Sequence, residues 1–364
     1  MNRPLRFEWI DIVKAFAIIL VVLGHINYAY PIYRLIPVPY IYSWHIRVFF
    51  LVGGFFLFED KLMKPYSFIK NKAKRLYLPL LYIYIPATLL HNILIDIGVY
   101  DLTIKYGGSC VMRLEGLNFF FQIVKTILFA GHEPIVGAMW FVYVLFLALI
   151  WISISYYIAS KITNKSVDST RRTASIIILA GAIASSFMIN IWGIEIPRVS
   201  QTLQAAWLIF VGMVVMQQIR LTFDNRFVFI LCAIGLYSIA VLRSLVHMDG
   251  NETEIISLTI SSVFALYVFS YIAKKCRGML GMVLSFIGRE SFYIMAFHFI
   301  AFKICSLLLN MIGYSMNIAQ LSATSSNLFI LIFYLVGGVF IPIGIICVWR
   351  KLKIGLLYVI RYKK

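Results

Sequence analysis

Two residues in the first apolar segment, Lys14 and His25 in WIDIVKAFAIILVVLGH, are spaced for shared chemistry. Eleven helical steps of about 100° make about three turns, so both side chains fall on one helix face about 16 Å apart along the axis. A cation and a titratable imidazole on one face of an apolar helix are expensive in lipid, and the expected arrangement is a polar track facing protein. A plainer arrangement also stands: Lys14 pairs with Asp11 at i,i+3 or reaches toward headgroups, and His25 merely ends the span.

Other polar residues fall near the same expected depth. His45 and Arg47 open the second apolar run just after an external turn, which sets them beside His25 on an antiparallel neighbour. Ser291 and His298 are seven apart and share a face of a later helix, with Arg289 and Glu290 at its mouth. A satisfied interhelical hydrogen bond would equally account for His298. His132 and Glu133 precede the fourth run, while His91 and His247 sit near expected helix ends. The histidines lack HxxxH or HxxE spacing and few carboxylates accompany them, so no metal site is expected.

The elements that must position these groups follow from composition. Of 364 residues 62% are hydrophobic and only 13% charged, with apolar runs near 20 residues recurring throughout. The expected fold is all-α: a polytopic integral membrane protein of about ten transmembrane helices in one membrane domain, residues 1–364. The spans are expected near 10 to 30, 40 to 58, 76 to 97, 136 to 158, 174 to 194, 203 to 219, 227 to 247, 255 to 273, 291 to 311 and 327 to 349. Most of the 33 Lys and Arg residues then fall on the side of the amino terminus, placing both termini in the cytoplasm. The net charge of +18 reflects this topology rather than nucleic-acid binding. The first segment keeps Asp11 and Lys14 and lacks a small-residue cleavage pattern, so it reads as a retained helix. FFFQIVKTILF, in the external stretch 98 to 135, reads as an interfacial or re-entrant helix. The tail from about 350 to 364 reads as a basic amphipathic helix on the inner leaflet. The five scattered cysteines suggest no disulfide framework.

RFEWIDIVKAFAIILVVLGH resembles the opening of the acyltransferase 3 family of integral membrane acyltransferases, where Arg or Lys, ten residues, then His mark the first helix. WHIRVFFLVGGFF (44 to 56), KNKAKRLYLPLL (70 to 81), MWFVYVLF (139 to 146) and IGRESFYIMAFHF (287 to 299) continue the resemblance in order. Two features depart from it. Gly53 and Gly54 stand where relatives usually have Ser-Gly, and Lys72 and Arg75 stand for paired arginines.

The resemblance implies transfer of an acetyl group from cytoplasmic acetyl-CoA to a hydroxyl of a cell-envelope carbohydrate, with sugar O-acetylases of O-antigen, capsule or exopolysaccharide the most similar group. It places the protein in a bacterial inner membrane. Its acceptor would be a polysaccharide precursor, free or lipid-linked, and polysaccharide-biosynthesis proteins would be its partners. His25 would be general base, with Lys14 binding the donor or biasing the site. Lys72 and Arg75, beside Lys70 and Lys74, would hold the donor's phosphates. His45, Arg47, His298 and Ser291 would stabilise the oxyanion or position the acceptor. A transporter or flippase for a polysaccharide or lipid-linked precursor would use similar intramembrane charges.

Overall fold

The computed structural model describes residues 7–26, 38–106, 109–129, 131, 133–164, 166–192, 198–245, 255–321 and 327–362. His132, His247 and the Asn251 sequon lie outside them. About 80% of the chain is helical, so the protein is an all-α membrane protein. Among the described residues six helices are long and apolar enough to cross a bilayer: Pro134–Ile162, Val199–Gln217, Arg226–Ser244, Ile255–Lys275, Ser291–Met311 and Leu328–Leu352. The other expected spans differ in character. The first is part of a helix, Glu8–His25, that carries Glu8, Asp11 and Lys14, and the second and third are broken into short pieces.

The organising element is α1 (Glu8–His25). Its residues Ile12, Val13, Ala15, Ala17, Ile18, Val21 and Val22 are all buried, so the helix is enclosed on nearly every face rather than bathed in lipid. A helix apolar all round belongs in a core, and this explains how α1 tolerates Asp11 and Lys14. It packs against α13 (Ile255–Lys275), α14 (Gly278–Arg289), α15 (Ser291–Met311) and α16 (Leu328–Tyr362). The basic tail continues α16 as one helix to Tyr362. At Gly288 of α14 a Cβ would run into the Asp11 carbonyl, so only glycine permits this approach beside Lys14.

The second expected span is α2 (Val38–Tyr42), a turn, and α3 (Arg47–Gly54). The break exposes backbone carbonyls, and side chains satisfy them: His45 Nδ1 reaches Ile41 O at 2.6 Å and Arg47 donates to Tyr42 O at 2.6 Å. Ser261 Oγ of α13 donates to Ser43 O and pins the turn. Then α4 (Glu59–Leu62) and α5 (Pro65–Lys72) lead through a π-helical turn, Ala73–Tyr77, into α6 (Leu78–Leu89). Pro79 has no N–H to give the Arg75 carbonyl, which accounts for the wider turn.

Two short elements and a hairpin cap the far end: α7 (His91–Asp96), strands β1 (Lys105–Tyr106) and β2 (Ser109–Cys110), and α8 (Gly116–Ile127). Leu117, Phe120 and Phe121 of α8 are exposed while its other side lies on α6, as an interfacial helix requires. The 3-10 turn Pro134–Met139 leads into α9 (Trp140–Ile162), followed by α10 (Val167–Trp192), α11 (Val199–Gln217) and α12 (Arg226–Leu245). Between α3 and α11 the contact is backbone on backbone: a Cβ on Gly54 would strike Ile209 O, and one on Gly212 would strike Leu51 O.

Gly288→Ala should therefore push α14 off α1 and cost about 1–3 kcal/mol or more. Gly344→Ala, where a Cβ meets nothing, should be neutral or stabilising because helical Ala outranks Gly by about 1 kcal/mol. Thermal unfolding of the detergent-solubilised variants reads both. Equal melting temperatures would contradict the α1–α14 contact.

Candidate functional site

His25, the last residue of α1, faces α15, where His298 Nε2 lies 3.1 Å from His25 Nδ1. The tautomers follow from the neighbours. His298 Nδ1 lies 3.0 Å from the Ile294 carbonyl, which only accepts, so His298 carries its proton there and its Nε2 is an acceptor. His25 Nδ1–H then donates to His298, which leaves the lone pair on His25 Nε2 free. The rings stack at 5.0 Å, and Phe299 packs edge-on against His25 at 5.0 Å. Tyr42 ties α2 to the same place, donating to Gly24 O at 2.6 Å.

A cavity of about 310 Å³ opens beside the pair, lined by His25, Tyr42, His45, Arg47, Trp140, Gln201, Gln204 and apolar neighbours. His45 spends its Nδ1–H on Ile41 O, so its Nε2 is also an acceptor. The cavity thus offers acceptors on two imidazoles beside the amide side chains of Gln201 and Gln204. Arg47 supplies positive charge. That composition suits a ligand with several hydroxyl donors.

A second cavity, about 320 Å³, lies at the other end of α3 and is lined by Phe56, Asp60, Lys61, Lys64, Asn71, Lys72 and Arg75 among others. Four cations face one carboxylate. Burial, with Arg75 and Lys61 alongside, pushes the Lys72 ammonium below its usual lysine range, an arrangement an anionic ligand would relieve. Lys72 and Arg75 are together as the sequence suggests. Their companions are Lys61 and Lys64 rather than Lys70 and Lys74; Lys70 sits over the Tyr66 ring at 5.8 Å.

His25, His45, Arg47 and His298 thus converge, His298 behind His25 rather than on the cavity wall. Lys14 does not join them: its ammonium is 2.7 Å from Asp11, the i,i+3 pairing that helix geometry allows. Ser291 starts α15, about 10 Å of helix from His298, and lines neither cavity. Gln201 and Gln204 were missed, although two amides at i,i+3 in an apolar run are a legible signal.

Over residues 7–349 the sequence matches the acyltransferase 3 family, described as an acyltransferase domain. The chain belongs to this family. It is a multi-pass membrane acyltransferase. No curated protein and no solved structure matches it. Family membership does not favour the transporter reading.

The acyltransferase also buries an ion pair that joins His91, expected near a helix end, to Glu133, expected just before the fourth run. His91 Nδ1 lies 3.1 Å from Glu133 and its Nε2 lies 3.1 Å from Met112 O; two acceptors hold the ring as imidazolium. Glu133 is 0% exposed and takes a further hydrogen bond from Tyr100 at 2.6 Å. Nearby, Lys303 Nζ reaches the carbonyls of Val99, Ile318, Ala319 and Gln320 at 2.6–3.2 Å and clamps the cap to α15. Glu133→Gln keeps the shape but strands the imidazolium, an expected loss of about 3 kcal/mol. Thermal unfolding near neutral pH checks this, and an unchanged midpoint would mean that the pair does not hold the cap.

Proposed function

We propose that the protein is an O-acetyltransferase of a bacterial inner membrane, moving an acetyl group from cytoplasmic acetyl-CoA to a hydroxyl of a cell-envelope sugar or polysaccharide precursor, with His25 as general base. The observation that carries this reading is the oriented pair: His298 accepts from His25 Nδ1–H, so His25 presents a lone pair toward a cavity rich in acceptors for sugar hydroxyls.

The donor's phosphates occupy the cationic cavity at Lys61, Lys64, Lys72 and Arg75 through charge-assisted hydrogen bonds. Its pantetheine arm runs along α3 toward Phe50, which lines the histidine cavity, from Phe56, which lines the cationic one. The acceptor hydroxyl gives its proton to His25 Nε2 as its oxygen attacks the thioester carbonyl. The C–S bond breaks, the acetyl group becomes an ester, and the thiolate leaves with the proton returned by His25. During proton transfer the hydrogen bond to neutral His298 steadies the imidazolium. Arg47 is the charged donor in reach of the developing oxyanion, whereas His45, with only an acceptor to offer, positions another sugar hydroxyl. Lys14, held by Asp11, stands on the donor side and touches no reacting atom. The topology expected from the loop charges, with both termini in the cytoplasm, would put the cationic cavity on the donor's side of the membrane.

His25→Ala should lower kcat by about 10²–10⁴ while the protein still accumulates in the membrane. Labelled acetyl transfer by purified protein and mass spectrometry of surface glycan measure it. Near-normal acetylation would exclude His25 as base. Replacing Lys61, Lys72 and Arg75 together by Ala should raise the KM for acetyl-CoA at least about tenfold, the effect of losing about 1.4 kcal/mol of binding, with little change in kcat. An unchanged KM would move the donor elsewhere.

A further inference from the structure

A carboxylate stands at the edge of the cationic cavity without facing it. Glu59 opens α4 between Phe58 and Asp60, which both line the cavity, and is two residues from Lys61. Its own carboxylate meets a fork from α10 instead: Arg171 Nε donates to Glu59 Oε1 at 2.5 Å and Arg171 Nη2 donates to Oε2 at 3.0 Å. Tyr156 of α9, fully buried, adds a hydrogen bond to Oε1 at 3.3 Å. The remaining guanidinium nitrogen, Nη1, turns to the exposed Asp168 at 3.2 Å.

Anchoring α4 does not call for this fork. The carbonyls at either end of the helix are already held, Leu57 O by Gln217 Nε2 of α11 and Leu62 O by Ser153 Oγ of α9 at 2.8 Å. What the fork adds is electrostatic. In the cavity Lys61, Lys64, Lys72 and Arg75 face Asp60 alone. A cleft lined by one sign of charge concentrates ligands of the other sign, and every cation neutralised from within weakens that pull. A Glu59 released from α10 would stay ionised beside four cations and pair with Lys61, its neighbour on α4. A bidentate guanidinium prevents this by taking both carboxylate oxygens at once, which a single ammonium does not do.

We propose that Arg171 is a positioning residue for the donor: by holding both oxygens of Glu59 it keeps that carboxylate off Lys61, and so keeps the cavity selective for a donor that carries phosphates. This rests on the reading of the cavity as the donor site. Arg171 touches no reacting atom; it acts through the charge of Glu59.

The test is whether removing Glu59 cures the loss of Arg171. Titration calorimetry of the purified protein reads the binding of acetyl-CoA and of inorganic pyrophosphate, and steady-state kinetics give the KM for acetyl-CoA. Arg171→Gln is expected to weaken both ligands at least about fivefold and to raise that KM equally, with kcat and the acceptor KM near those of the parent. Glu59→Gln is expected to bind both at least as tightly as the parent. The double variant is expected to return to within about twofold of the parent, because the stray charge has left with its partner. A double variant that binds as poorly as Arg171→Gln would overturn the proposal, since neither a brace nor a direct phosphate ligand is restored by removing Glu59. Unchanged affinities in Arg171→Gln, or an equal loss in Glu59→Gln, would overturn it as well. Where Arg171→Gln does not accumulate, Arg171→Lys replaces it, with an expected weakening of about two- to threefold that Glu59→Gln relieves. No weakening there, or none relieved, counts against the proposal in the same way. The expected order with pyrophosphate, when acetyl-CoA is neither bound nor used, would keep the role of Arg171 and refute the donor reading.

Discussion

The hydrogen bond between His25 and His298 joins α1 to α15 and fixes the proton inventory at the centre of the protein. Two imidazoles in a dry interior can share one bond only if one donates and the other accepts, and the Ile294 carbonyl decides which. A single backbone acceptor on α15 therefore sets the direction of a bond whose effect emerges on α1. The same logic makes the contact intolerant of charge: protonating His298 would remove the acceptor that orients His25. Burial of α1 on nearly all faces serves this constraint, because a lipid-facing ring would have neither partner nor cavity.

Around that pair, the useful surfaces arise where helices break. A continuous helix uses its carbonyls internally and presents side chains only along its sides; a break frees carbonyls that something must satisfy at membrane depth. Between α2 and α3 the satisfying groups are His45 and Arg47, so the residues that repair the backbone are also those that line the histidine cavity. The wide turn forced by Pro79 lies beside the cationic cavity, and Lys303 collects carbonyls from two loops under the cap. Irregular backbone and polar cavities are in this sense one feature seen from two sides.

This also explains what could and could not be read from the chain. Contacts along one helix were legible: 3.6-residue periodicity places Lys14 against Asp11 and sets Ser291 on the face of His298. The positions of the six long apolar helices were legible because apolar length is a local property, and 291 to 311 coincides with α15. Partners distant in sequence were not. Nothing local says that His25 meets His298 rather than His45, or that His91 meets Glu133. Lys61 and Lys64 were passed over because α4 and α5 pack on α9, which hydropathy does not encode, whereas Lys70 shared the right stretch but turns to Tyr66.

The two departures from the family pattern bear on different physical demands. Gly54 is required by packing, because its backbone touches α11 so closely that no side chain fits. Gly53 is under no such demand: a Cβ there would make an ordinary contact with Leu145 at 3.6 Å. A serine at that position would therefore fit without moving a helix, and its absence removes one hydroxyl from the stretch of α3 between Phe50 and Phe56, which line the two cavities. If a thioester passes along that stretch, the donors available to its carbonyl are those that converge on the histidine cavity, chiefly Arg47. The orientation of that guanidinium is already set by its hydrogen bond to the Tyr42 carbonyl. Lys72 in place of an arginine is the milder change, because a point charge suffices to hold phosphate where three other cations share the work.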